Sequence, residues 1–176
     1  MKTILHKIFA AAVLLCVASP AVFAQSGWTT HFDEALAQAK TDDKAVLLNF
    51  TGSDWCPWCI KMKQETLDTG EFRAYAKDNL ELVEVDFPNN KPQSDQLKAQ
   101  NQRLQKKFKV DGFPTFVIVS KNGKVLGKQV GYLDGGPQAF IAELKSFYHA
   151  PQRTAGSPDD DFDAFFKKPP QSSVPQ

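Results

Sequence analysis

Two cysteines three positions apart carry the clearest chemistry in this chain of 176 residues. Cys56 and Cys59 stand in the run Trp-Cys-Pro-Trp-Cys, where Pro57 suits the first position of a helix because its missing N–H costs nothing there. Cys56 would then face unpaired N–H groups and the positive end of the helix dipole, which lower a thiol pKa from ~8.5 into the range ~3.5 to 7.5. Cys59 would lie on the same helical face, within reach for a disulfide. One attacking thiolate and one resolving thiol are what thiol–disulfide exchange requires.

Three other uses of the cysteine pair remain open at this point. A zinc site would need two more ligands, and beyond residue 24 the chain offers only His31 and His149 besides the pair. A purely structural disulfide would close so short a loop that it would add little stability. The third use is a binding module or metal carrier without redox activity, in which the loss of one cysteine would be expected.

The first 24 residues have the order of a secretory signal peptide. Lys2 and Lys7 precede an uncharged apolar run over 8–18, and small residues lead to Ala24. The run is shorter than the roughly 20 residues that a bilayer-spanning helix needs, so we expect cleavage after Ala24 and no stable membrane insertion afterwards. Cleavage removes Cys16 and places the remaining pair in a compartment where disulfides persist, with the periplasm as the expected location.

Composition and charge exclude several classes of protein. The chain is 42% hydrophobic and 23% charged with 14 Phe, which excludes collagen-like, coiled-coil and wholly disordered proteins. It has 21 basic and 20 acidic residues, and the loss of Lys2 and Lys7 with the signal leaves a net charge of −1. Binding to nucleic acid therefore has no electrostatic support. Residues 25–150 suffice for one domain, whereas 151–176, with five prolines and an Asp run, predict a disordered tail.

The elements around the cysteines alternate between helix and strand. Apolar spacing, buried apolar runs and the Asn122-Gly123 turn predict helices over 31–40 (with Thr30 as N-cap), 57–69, 71–79, 93–108 and 140–148, and strands over 46–50, 80–87, 115–120 and 124–130. This order predicts an α/β fold with a central mixed sheet, helices on both faces, and a C-terminal hairpin followed by a helix. The cysteines fall where a central strand ends and a helix begins, which is where such sheets gather their chemistry.

Two motifs together resemble the thioredoxin-like family, in particular its exported bacterial branch. Residues 49–59, Asn-Phe-Thr-Gly-Ser-Asp-Trp-Cys-Pro-Trp-Cys, look like the active-site strand and turn of that family. Residues 110–115, Val-Asp-Gly-Phe-Pro-Thr, look like its cis-proline loop, and 121–124 like its hairpin turn. The resemblance runs from about 44 to 147, and two motifs in this order are more specific than a lone pair of cysteines.

The resemblance implies a thioredoxin-like fold and a thiol–disulfide oxidoreductase that acts on protein cysteines without a bound cofactor or metal. It implies that Pro114 is cis and lies against the sulfur atoms, and that the backbone of Phe113 pairs with a client strand. Trp55, Pro57 and Trp58 would form the rim on which the client rests. For Trp55, a packed lid over the core is an equally good interpretation.

The direction of electron flow stays open in the sequence. Family members commonly have Gly-Pro between the cysteines, and the Pro57-Trp58 found here would tune the redox potential differently. A reductase is favoured, and a disulfide oxidase or isomerase is the alternative, although 25–44 is too short for the dimerisation domain of an isomerase. Expected partners are client proteins with cysteines or disulfides and a membrane or periplasmic redox partner, and the protein itself is expected to be a monomer.

The proton acceptor also departs from the family pattern. Asn49 stands where thioredoxin has a buried Asp, and Glu84 on the next strand takes the place of the matching Lys. Glu84 shares a face with Leu80 and Leu82, and a carboxylate against an apolar face has a raised pKa, which suits a proton acceptor. The alternative is that Glu84 points to solvent at the end of the strand.

Overall fold

A computed structural model describes residues 27–149, so the predicted signal peptide and tail lie outside the described residues. In these residues no helix has the length and apolar character needed to cross a membrane. The elements in chain order are β1 (Trp28–Thr29), α1 (Phe32–Asp42), β2 (Ala45–Thr51), α2 (Pro57–Met62), a π-helical segment (Lys63–Leu67), α3 (Gly70–Asn79), β3 (Leu80–Asp86), α4 (Asp95–Lys107), β4 (Thr115–Val119), β5 (Val125–Val130) and α5 (Gly136–His149).

The sheet is mixed, as predicted, and its strands lie in the order β1-β3-β2-β4-β5. β2 pairs in parallel with β3 and antiparallel with β4, and β5 continues the sheet as an antiparallel hairpin. All seven residues of β2 are buried, because this strand is central and covered on both faces. β1 was not predicted, since a strand of two residues has no pattern of its own and forms only by pairing with β3.

Helices cover both faces of the sheet, which confirms the predicted architecture. On one face α1 and α4 pack against β2, β3 and β4 through a core that includes Phe32, Phe50 and Leu104. On the other face α2, the π-helical segment, α3 and α5 pack through a second core that includes Phe72 and Phe140. The side chains of β2 alternate between these two cores, so the strand joins them.

Two local predictions were wrong. The N-cap of α1 is His31 rather than Thr30, because Gln100 on α4 accepts a hydrogen bond from the first-turn N–H of Phe32 and donates one to the Thr30 carbonyl. The predicted helix over 57–69 ends its α-helical part at Met62 and continues as the π-helical segment. Gly70, expected to break the chain, is the first residue of α3, whose N-cap Thr69 accepts from the N–H of Phe72.

Candidate active site

The cysteine pair lies at the start of α2. Cys56 is the N-cap with extended backbone, and Pro57 takes the first helical position, as predicted. Cys56 and Cys59 form a disulfide with their Cα atoms 5.2 Å apart. The N–H of Cys59 donates a hydrogen bond of 3.2 Å to Sγ of Cys56. A donor in this place would stabilise a thiolate on Cys56 after reduction, in the same sense as the helix dipole.

Burial does not distinguish the two cysteines. Each is 4% exposed, so neither sulfur is the more accessible one by its residue surface. The difference between them is positional, since only Cys56 stands at the helix start and accepts the backbone hydrogen bond. The expectation that Cys59 lies shielded behind Cys56 therefore depends on helix geometry rather than on exposed area.

The loop before β4 carries the second motif. The Phe113–Pro114 peptide bond is cis, as the resemblance implies. Pro114 is buried and its carbonyl accepts a 2.8 Å hydrogen bond from the N–H of Gly131, which ties the loop to the end of β5. Within residues 27–149 the backbone N–H and C=O of Phe113 make no hydrogen bond. They leave one donor and one acceptor that an extended chain could use.

The turn before the cysteines is fastened to the loop that follows β3. Ser53 donates from its N–H and its hydroxyl to the buried carboxylate of Asp86, at 2.9 and 2.6 Å. The indole N–H of Trp55 donates to the carbonyl of Phe87 at 2.7 Å. The Trp55 ring meets Phe113 edge-on at 5.9 Å, and Phe113 stacks on Phe87 at 5.2 Å. These contacts bring the turn, the β3–α4 loop and the cis-proline loop together.

The two candidate rim tryptophans differ in how they are held. Trp55 is 43% exposed although its ring is pinned by the Phe87 carbonyl, so it combines the lid and the rim interpretations. Trp58 is 56% exposed and lies 5.6 Å from the ring of Tyr132. Sequence reasoning missed Tyr132 because it follows β5 and meets α2 only when the sheet closes. Lys61 was also missed, although its spacing from Trp58 on the helix could have signalled it.

Glu84 and Asn49 are neighbours on the same face of the sheet. They are register partners in the parallel pair of β2 and β3. Glu84 is half-buried, and burial raises the pKa of its carboxyl, with the negative charge of Asp86 adding to the effect and Lys63 and Lys91 opposing it. Asn49 is only 6% exposed, and its side-chain oxygen has no hydrogen-bond partner among the described residues. A carboxyl with a raised pKa therefore lies beside the position that is an amide here.

Comparison with known proteins covers the same segment. A family model described as a thioredoxin-like domain matches residues 32–148. The disulfide bond reductase DsbH of Chlamydia pneumoniae is 41% identical over 127 residues, which are 72% of this chain and 75% of that protein. The thioredoxin-related protein DsbJ of Chlamydia pneumoniae is 30% identical over 125 residues, which are 68% of this chain but only 36% of that protein.

A solved structure of a DsbH oxidoreductase is similar in fold as well as in sequence. It superposes with a TM-score of 0.65 at 40% identity and covers 70% of this chain and 85% of that one. The segment matched by the family model includes both cysteines and the cis-proline loop. The similarity therefore extends over the residues that form the site.

Proposed function

Because the chain belongs to the thioredoxin-like family and is a thiol–disulfide oxidoreductase of that family, we propose that it works as a reductase of disulfides in exported proteins. The observation that carries the proposal is the Cys56–Cys59 pair at the helix start, with the Cys59 N–H directed at the Cys56 sulfur. The direction of electron flow is supported by the 41% identity to a disulfide bond reductase.

The reaction proceeds in two exchanges at sulfur. In the reduced protein, the Cys56 thiolate attacks one sulfur of a client disulfide, and the other client sulfur leaves as a thiolate. The thiol of Cys59 then loses its proton and attacks the Cys56 sulfur, which releases the second client thiolate. The client gains two electrons and the protein is left with the Cys56–Cys59 disulfide. A membrane or periplasmic redox partner must return two electrons before the next cycle.

The client docks at the rim of the site. The unpaired N–H and C=O of Phe113 offer two backbone hydrogen bonds to an extended client segment, with Pro114 holding this edge in place. Trp55, Pro57 and Trp58 are exposed beside the pair and give the client an apolar surface. Docking by backbone bonds suits an enzyme that acts on more than one client, since such bonds do not depend on side chains.

The location of the protein follows from its first 24 residues. We propose cleavage after Ala24, export to the periplasm as a monomer, and a domain over 25–150 followed by a tail. The exported protein should then begin at Gln25, and intact-mass measurement on purified exported material checks this. Recovery of the full-length chain with the membrane fraction would contradict the proposal.

The reduction potential of the cysteine pair tests the direction. We expect equilibrium with glutathione to give a value nearer to about −270 mV, as for reductases, than to about −120 mV, as for strong oxidants. The double substitution Cys56→Ser with Cys59→Ser is the control and should show no redox transition. A value near the oxidant end would replace the reductase by the disulfide oxidase.

A further inference from the structure

A cleft of about 400 Å³ opens beside the cysteine helix, and its chemistry is more specific than that of the rim. Its lining residues come from α2, the cis-proline loop and the segment after β5: Trp58, Lys61, Phe113, Gly131, Tyr132 and Asp134. Three of the six are aromatic. Its volume falls in the range of about 300 to 1,000 Å³ that is typical of ligand pockets, which is room for one large side chain.

One wall of the cleft is held in place by a network of four side chains. The rings of Trp58 and Tyr132 lie 5.6 Å apart, and Nζ of Lys61 lies 4.5 Å from the Tyr132 ring centre and 5.5 Å from that of Trp58. Glu65 accepts a hydrogen bond from the Tyr132 hydroxyl and pairs with Nζ of Lys61 at 3.9 Å. Glu65 therefore fixes both the ring and the ammonium, so the wall is preorganised.

The charges around the cleft do not favour an ionic side chain. Lys61 and Asp134 line it with opposite signs, and Glu65 already neutralises Lys61. A client carboxylate would meet Asp134 and compete with Glu65, whereas a client cation would meet Lys61. The rings offer apolar surface to either an aliphatic or an aromatic side chain. The Lys61 ammonium adds a preference for the aromatic one, because a cation is attracted to the face of a ring.

The cleft is continuous with the place where the client is proposed to dock. Phe113 lines the cleft and also carries the unpaired backbone N–H and C=O. Trp58, the most exposed ring of the wall, directly precedes Cys59 in the chain. A client strand paired with Phe113 would therefore direct a side chain near its reacting cysteine into the cleft.

We propose that this cleft selects client segments that carry a large aromatic side chain close to the reacting cysteine. The inference rests on the proposed function, since it names the substrate preference of the same site. Trp58, Tyr132 and Phe113 supply the contact surface, and Lys61 distinguishes an aromatic from an aliphatic side chain. Glu65 is a positioning residue that acts through Lys61 and Tyr132.

The test uses single-turnover kinetics, which need no redox partner. Reduced protein reacts with short peptides whose single cysteine is linked to glutathione by a disulfide, and the residues flanking that cysteine are varied among Phe, Leu, Ala, Glu and Lys. The Phe peptide should react at least about tenfold faster than the Ala peptide and about threefold faster than the Leu peptide. Glutathione disulfide itself measures the reaction without a side chain in the cleft.

Variants separate the parts of the cleft. Tyr132→Ala should lower the ratio of Phe to Ala rates by at least about threefold. Lys61→Met keeps the length of the side chain and removes its charge, so it should abolish the advantage of Phe over Leu and retain that of Leu over Ala. Tyr148→Ala removes another exposed tyrosine, near the end of α5, and should keep all parental ratios.

The outcomes distinguish this inference from the proposed function. Equal rates for all peptides within about twofold, or fastest reaction with the Glu or Lys peptide, would overturn the aromatic preference and leave the oxidoreductase intact. A reduced protein that reacts with neither the peptides nor glutathione disulfide would overturn the proposed function as well. Retained ratios in Tyr132→Ala, with an unchanged melting temperature, would remove the cleft from client selection.

Discussion

The two cysteines are equally buried, so their different roles depend on the backbone around them. Cys56 stands before the first turn of α2, where backbone N–H groups lack helical partners, and its sulfur accepts one of these groups from Cys59. Cys59 lies one turn later and receives no such stabilisation of a negative charge. The proposed roles of attacking and resolving sulfur follow from this difference.

Cys59→Ala should accumulate a mixed disulfide between Cys56 and clients, because attack is retained and resolution is lost. The measurement is the yield of client adducts on non-reducing gels, with Cys56→Ala as the matched control. We expect at least about tenfold more adduct from Cys59→Ala than from the control. More adduct from Cys56→Ala would reverse the two roles.

Glu84 is the proposed proton acceptor for the resolving step. Its carboxyl has a pKa raised by burial, and its strand neighbour Asn49 cannot accept a proton. Glu84→Gln should therefore slow the release of the mixed disulfide near neutral pH by about tenfold or more, and leave the attack by Cys56 nearly unchanged. Rapid-quench kinetics between about pH 6 and 9 measure both steps. Equal resolving rates in variant and parent would leave water as the acceptor.

The same substitution has a predicted effect on stability, with a sign set by linkage. A carboxyl whose pKa is higher in the folded than in the unfolded state favours folding while it is protonated, and this advantage is lost as the pH rises above the ordinary value of 4.5 through the folded value. Glu84→Gln should therefore gain stability relative to the parent as the pH rises. Asn49→Asp, which places a second carboxylate beside Glu84, should partly rescue the resolving step in Glu84→Gln.

The order of helices and strands could be predicted from the sequence, whereas the contacts between loops could not. Long apolar patterns such as that of β2 identify an element without reference to the rest of the chain. The hydrogen bond from Trp55 to Phe87 joins residues 32 positions apart, and it forms only because β2 and β3 end at the same edge of the sheet. The π-helical segment was missed for a related reason, since its residues are compatible with an ordinary helix.

The contact between β5 and α5 depends on the lack of a side chain at Gly127. A Cβ at this position would lie 2.1 Å from the ring of Phe147, which packs against the second core. Gly127→Ala should therefore lower the free energy of unfolding by about 1 to 3 kcal/mol, since ring or strand must move. Gly70→Ala is the matched control, because a Cβ there meets nothing within 4 Å in the first turn of α3.

Thermal unfolding of both variants checks this contact. Gly70→Ala should melt at the parental temperature or slightly above it, because Ala favours a helix more than Gly does. Gly127→Ala should melt several degrees lower. Equal melting temperatures for the two variants would mean that Phe147 moves aside at no cost.

The whole molecule is organised so that its site lies where both cores meet. β2 contributes to both and ends at the turn that leads to Cys56, while β4 on its other side begins directly after Pro114. The cysteine pair and the cis-proline loop, more than 50 positions apart in the chain, are thus positioned by adjacent central strands. Rigid strands hold the site, and exposed side chains on α2 and after β5 adapt it to clients.

The redox state of the pair is linked to the stability of the entire domain. If folding favours the disulfide over the dithiol, it lowers the reduction potential, and the oxidised protein is then the more stable form. As a reductase, the oxidised protein should exceed the reduced one in free energy of unfolding by about 1 to 3 kcal/mol, where about 1.4 kcal/mol corresponds to 30 mV. Calorimetry with and without dithiol reductant measures the difference, and Cys59→Ala, which cannot form the disulfide, should melt at one temperature in both conditions. A reduced form that melts above the oxidised form would identify an oxidant instead, because a strong oxidant owes its high potential to a stabilised dithiol state.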